Sequence, residues 1–295
     1  MNAQAPLLNE YLAPPNSFLR VANVKRPATA LVSDLKCETC GKTTPLIVFS
    51  SIYLLVAWRL QMVFLSLIEG WQQESDDQIR IRWRPPSQGE QSNLRAIMDM
   101  YLNGDYVTAE GLSELVRLSS ERPELARRHF MNAVAAGEIW AVFHEMGHVL
   151  QGSPGIYDGP YARIHDQAQQ ILRTAEMRGY APHIGKAWAG EVEADMIAAE
   201  LLVRAYAVKA HKKGASPQSS LWYACWEVAA GVASALEAIY RIGKLRSGVN
   251  SDSYPPLNLR WMLISNYLEQ RVNGVRQPEI TGMARLIAEI SELLP

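Results

Sequence analysis

Cysteine is scarce in this chain: Cys37, Cys40 and Cys225 are the only three in 295 residues. So few, and an odd number, cannot build the disulfide framework of a secreted protein, which points to a reducing compartment. Neither sign of charge is in excess, since 29 Lys and Arg face 30 Asp and Glu for a formal net charge of -1. No general field then favours nucleic acid or an anionic membrane, and no nucleic-acid partner is expected. The opening MNAQAPLLNEYLAPPNSFLR has no basic n-region ahead of a continuous apolar stretch, its first basic residue being Arg20. Export is therefore not expected, and a cytoplasmic location is. Internal repeats, low-complexity tracts and long linkers are missing as well.

Long unbroken apolar runs are also lacking. Leu46 to Ile68, LIVFSSIYLLVAWRLQMVFLSLI, is long enough to span a bilayer but carries Arg59 near its middle. A central arginine costs roughly 2.5 to 3.5 kcal/mol on insertion scales. The uncharged pieces on either side, Thr43 to Trp58 and Leu60 to Ile68, each fall short of about 18 residues. The stretch is expected to be a buried core helix, in preference to a membrane segment or a pair of strands.

What the chain has is apolar content, 48% by residue, enough for one large core or two modest ones. One main domain is expected over 46–295, behind an N-terminal arm or cap over 1–45 that is irregular and proline-rich through residue 35. Ile79-Arg80-Ile81-Arg82-Trp83 alternates apolar and basic residues and stops at Pro85-Pro86, as a half-exposed strand does. Helical patterns follow at 91–103, 108–119, 123–151, 164–179, 189–213, 219–243, 257–272 and 279–293. Pro123 suits a first helical turn, and Gly152 with Pro154 suits a helix stop. The fold class expected is mainly α within α+β, with long buried helices and a small β element.

The chemistry concentrates in AVFHEMGHVLQG, residues 141–152. Ile139, Trp140, Val142, Phe143, Met146, Val149 and Leu150 make this a deeply buried helix. His144 and His148 lie four apart, so both imidazoles leave one face and can reach a single ion. Glu145 sits about 100° round the helix, near enough to hold a water but badly placed to be a third ligand, as a general base beside a zinc site would be. Gly147 removes a side chain between the ligands and leaves room for a neighbouring element or a substrate backbone. With six histidines, chance alone would place roughly 0.01 H-E-x-x-H windows in such a chain. A catalytic zinc takes three protein ligands and keeps one position open, so one more is needed. Glu191-Val192-Glu193-Ala194-Asp195 opens a second apolar helix, with Glu191 and Asp195 again four apart on a shared face. One carboxylate can bind the metal while the other accepts the N–H of a ligand histidine. The alternative is an acidic first turn favoured by the helix dipole.

Taken together, His144-Glu145-Met146-Gly147-His148 and Glu191-Val192-Glu193-Ala194-Asp195 resemble the HExxH and ExxAD pattern of gluzincin zinc metallopeptidases, which include the HtpX and CAAX prenyl protease types. The resemblance implies a zincin-like core, one zinc per chain held by His144, His148 and Glu191, Glu145 as the base, and Asp195 behind a ligand histidine. Tyr254-Pro255-Pro256-Leu257-Asn258-Leu259-Arg260 is similar to the HPxxxxR stretch of that group, with Tyr254 in place of its histidine. Tyr254 is the first choice for stabilising the oxyanion, Arg260 either helping or fixing the loop, and Tyr157 and Tyr161 are weaker candidates. Among soluble members the chain is similar to Lit-type phage-exclusion proteases over about two thirds of its length. That likeness implies a selective protease acting on an intracellular protein in phage defence, with room for an activating partner. A stress-linked protease cleaving one repressor, a silent zincin-fold interaction protein and a membrane-associated HtpX-type protease are the rivals.

Other residues are read structurally. Cys37-Glu38-Thr39-Cys40 resembles half a zinc ribbon without its second CxxC. His165, His183 and His211 lie in polar contexts and are expected on the surface. Trp58, Trp140, Trp188, Trp222, Trp226 and Trp261 are expected in the core, and Arg127-Arg128 and Lys212-Lys213 as solvated patches.

Overall fold

A computed structural model describes residues 20–24, 29–36, 43–50, 67–75, 78–85, 87–89, 91–92, 96, 124–151, 162–176, 182–245 and 255–272. The chain divides into two compact units, Met1–Leu54 and Leu55–Pro295. The described part is mainly helical.

The first unit holds a three-stranded sheet in the order β1-β3-β2, with β1 Arg20–Val24, β2 Thr29–Lys36 and β3 Thr43–Ser50. β1 runs parallel to β3 in the register Arg20 to Leu46, and β2 runs antiparallel to β3 with an irregularity between Val32 and Leu35. Two expectations are corrected here. Residues 20–24 and 29–36 are strands where an irregular arm was expected, and residues 46–50, assigned to a buried helix, belong to β3. The reason is visible in the chain: Ile47, Val48 and Phe49 favour a strand, and a short apolar run has no period that separates a strand from a buried helix. Residues 51–66 of that stretch lie outside the described residues.

The second unit begins with an antiparallel hairpin, β4 Ile68–Ser75 and β5 Gln78–Trp83, the latter taking in the alternating Ile79 to Trp83. Among the described residues, five long helices follow: α1 Glu124–Gln151, α2 Ala162–Glu176, α3 Pro182–Lys212, α4 Pro217–Leu245 and α5 Leu257–Arg271. They cover the expected segments 123–151, 164–179, 189–213, 219–243 and 257–272 to within a few residues, apart from an earlier start to α3. The segments 108–119 and 279–293, and most of 91–103, lie outside the described residues.

α1, α3 and α4 pack on one another, α2 lies on α3, and α5 lies on α3 and α4. Small residues set how close they come. Ala133, Ala136, Ala194, Ala198, Ala229, Ala230 and Ala233 are buried among Trp140, Leu202, Trp226 and Leu236. A Cβ added at Gly231 of α4 would stand 2.2 Å from Ala133 O of α1, and one at Gly147 of α1 would stand 2.7 Å from Ala194 Cα of α3. Backbone therefore touches backbone at both crossings. The turn from α3 to α4 uses Gly214 at φ 93°, the left-handed region that glycine enters without strain. Ser216 Oγ then accepts from Ser219 N at 3.2 Å, capping α4, and Pro217 fills the first helical position. Among the described residues, no helix is long and apolar enough to cross a membrane.

The crossings can be tested by thermal unfolding. Gly231→Ala is expected to cost about 1–3 kcal/mol through the clash, less the gain of up to about 1 kcal/mol from removing a helical glycine. Gly190→Ala, whose added Cβ meets nothing nearer than Gln151 Oε1 at 3.8 Å, should hold or raise the melting midpoint. Equal shifts in the two variants would contradict the close approach.

Candidate metal centre

α1 carries His144 and His148 on one face, with their rings edge to face and centroids 4.8 Å apart. α3 crosses that face where Gly147 meets Ala194, which brings Glu191 over both rings. His144 Nε2 lies 3.2 Å from Glu191 Oε2, and His148 Nε2 lies 3.5 Å from Glu191 Oε1. One ligand atom from each of the three residues falls within 4.8 Å of the others, a group that could hold a metal ion. Tetrahedral coordination at about 2.0–2.2 Å separates ligand atoms by about 3.3–3.6 Å, and each imidazole lies near that distance from one of the two Glu191 oxygens.

Behind the triangle stands a second layer. His144 Nδ1 is 2.7 Å from Asp195 Oδ1. Arg260 of α5 donates to the same carboxylate twice, from Nε to Oδ2 and from a terminal nitrogen to Oδ1, each at 2.7 Å. Asp195 and Arg260 are 1% and 7% exposed, so this is a bidentate pair removed from water. Trp140, one helical turn before His144, tilts against its ring at 5.6 Å, and the Arg260 guanidinium lies 5.5 Å from the Trp140 ring centre. A carboxylate accepts only, so Asp195 draws the His144 hydrogen to Nδ1 and turns the Nε2 electron pair toward Glu191.

That arrangement sets an electrostatic requirement. Glu191 Oε2 is buried and has no hydrogen-bond partner, although His144 Nε2 is within ion-pair distance. Electron pairs from two imidazoles and a carboxylate meet there, and they are stable together only around positive charge. Without a metal, a proton supplies it. Burial of His144 works against its charge, but the Asp195 carboxylate and the contact with Glu191 outweigh that and raise its pKa to about 9. Burial likewise opposes ionisation of Glu191 and Asp195, yet the histidines hold Glu191, and Arg260 with His144 holds Asp195, below the ordinary carboxylate range. The donor set thus fits a divalent cation that would replace the proton.

Glu145 follows His144 on α1, half-buried and outside the triangle. Arg260 is paired with Asp195, a partner that neither part expected of it named. Tyr254, Tyr157, Tyr161, Cys37 and Cys40 lie outside the described residues. Cys225 is buried in α4, and burial pushes its thiol up to about 12. His165 lies at the surface with its side chain 39% exposed, and its Nδ1 is 2.9 Å from Oε1 of the buried Glu193, in a pair joining α2 to α3. His211 is exposed at the end of α3, with Nδ1 3.1 Å from Ala215 O. Trp140, Trp188, Trp226 and Trp261 are buried, while Trp222 is half-buried against Tyr223. Sequence reasoning missed Gln151, whose Oε1 lies 3.3 Å from His148 Nδ1. Its position three residues after His148 on the same helix was the available signal.

No family model matches the chain, and no curated protein or solved structure matches it.

A histidine whose pKa is raised on folding contributes stability below its unfolded value of 6.5 and loses it as pH rises through about 9. The metal-free chain is therefore expected to show a falling thermal midpoint between those pH values. His144→Gln should flatten the fall, and saturation with a divalent metal should remove it, since the metal takes the place of the proton. A metal-free wild type with a level midpoint across the window would contradict the charge assignment.

Proposed function

We propose that this chain is a zinc-dependent metalloendopeptidase of the gluzincin type, with a zincin-like core, cleaving a peptide bond in a specific intracellular protein. One observation carries the reading: His144, His148 and Glu191 bring one possible ligand atom each to within 4.8 Å of one another, and the helix of the two histidines also carries Glu145. Two imidazoles and one carboxylate leave a fourth position open, the pattern of catalytic zinc sites as opposed to closed structural ones.

Zinc held there would supply a Lewis acid that polarises the scissile carbonyl and lowers the pKa of water. The remaining work belongs to the chain. Glu145 takes a proton from the attacking water as its oxygen adds to the carbonyl carbon, and passes it to the amine as the C–N bond breaks. Asp195 keeps His144 in the ligating tautomer, and Arg260 holds Asp195 ionised and in place. Tyr254 is assigned the hydrogen bond to the developing oxyanion. It stands just ahead of Pro255 and Pro256, which lead into α5, the helix that the Arg260 pair ties to Asp195.

The resemblance to Lit-type proteases supports a cytoplasmic protein acting in phage defence, with a stress response as the neighbouring case. An interaction protein on a silent zincin scaffold has no need of a carboxylate at position 145, and Glu145 favours the enzyme.

The test is the appearance of new amino termini in a mixture of intracellular proteins incubated with zinc-loaded chain. Wild type is expected to generate a short, reproducible set that a chelator abolishes. Glu145→Gln should lower the rate by about 10²–10⁴-fold while binding the same metal. Cleavage at the wild-type rate by Glu145→Gln would overturn the mechanism.

A further inference from the structure

Behind the two ligand histidines the second layer differs, and the difference lies in a residue outside both motifs. Asp195, an ion, stands behind His144; behind His148 stands Gln151, a neutral amide closing α1. The amide has a fixed orientation. Its Nε2 donates to the carbonyl of Gly190 at 2.5 Å, and because that carbonyl can only accept, the amide oxygen is the end that meets His148 Nδ1. An oxygen there can only accept in turn, so the amide favours the hydrogen on Nδ1, in competition with the Glu191 carboxylate, whose Oε1 lies 3.5 Å from Nε2.

The second partner of the amide is as informative as the first. Gly190 immediately precedes Glu191 on α3, so one side chain joins the ring of one ligand to the backbone beside another. Resting on the metal-site reading above, we infer that Gln151 is a positioning residue of the centre: it fixes the His148 tautomer and, by gripping Gly190, the spacing of His148 and Glu191. Because Gln151 is neutral, it does this without adding to the two carboxylates already present, Glu191 and Asp195. His148 is consequently the ligand held without charge assistance, at 3.3 Å against 2.7 Å for the Asp195 contact.

The experiment uses the full chain with ¹⁵N-labelled histidine rings, metal-free in alkaline buffer, with the His148 signals assigned from a His148→Asn variant. Zinc affinity is measured alongside by competition with a chelator, and helix content by circular dichroism. Wild type is expected to show His148 protonated on Nδ1. Gln151→Met, close in shape but without polar atoms, should lose that preference and weaken zinc by about 10- to 100-fold with its helix content retained. Gln151→Glu keeps an acceptor for Nδ1 but repels the Gly190 carbonyl, so it should preserve the tautomer and still lose affinity.

Wild-type His148 protonated on Nε2 would overturn the inference by itself, whether or not the Met variant folds. So would a folded Gln151→Met with the wild-type tautomer and affinity. A wild type that shows the Nδ1 tautomer but takes up no zinc would refute the peptidase reading while supporting the amide bridge.

Discussion

Everything at the candidate site depends on how closely two helices can cross. At Gly147 the backbone of α1 lies so near Ala194 of α3 that even a methyl group would stand 2.7 Å from its Cα. The residues around that contact are the ones with chemistry: His144 and His148 flank Gly147, and Glu191 and Asp195 lie on either side of Ala194. A helix spaces residues four apart by about 6 Å along its axis, so two pairs of that spacing meet only if the axes come within reach of short side chains. The glycine and the alanine provide that reach. The same device recurs at Gly231 against Ala133, where α4 backs α1 from a second direction. A core rich in alanine gives up some apolar area per residue but holds backbones at a fixed separation, which a ligand cluster needs more than bulk.

The crossing then forces a charge arrangement. Asp195 is buried and Arg260 balances it, while Glu191 is half-buried and, among the described residues, lies against the imidazoles of His144 and His148. Removing a carboxylate from water is costly, and positive charge among the three side chains would offset that cost. Asp195 thus serves two neighbours, accepting from Arg260 on one side and orienting His144 on the other. Arg260 comes from a helix 65 residues further along the chain, so α5 is tied to the centre through one carboxylate.

What the sequence disclosed follows from range. His144, Glu145 and His148 could be placed because helical periodicity is local, and the apolar run from Ile139 to Leu150 marked a buried helix. Glu191 and Asp195 could be paired with them because each motif presents residues four apart on one face. The partnership of Arg260 with Asp195 was not legible, since nothing local says which acid a distant arginine will meet. Gln151 was passed over because glutamine at a helix end usually meets water; only the position of Gly190 gives it a second partner. β3 was misread because a short apolar run has no period that separates a strand from a buried helix, and residue composition at Ile47 to Phe49 was the better guide.

The central claim is that three side chains on two helices hold one zinc ion. Elemental analysis of the purified chain tests it most directly, in parallel with Glu191→Ala and with His144→Ala combined with His148→Ala. The account predicts one zinc per chain in the wild type and none in either variant, with the helices intact. A wild type without zinc, or zinc retained when those ligands are gone, would contradict it.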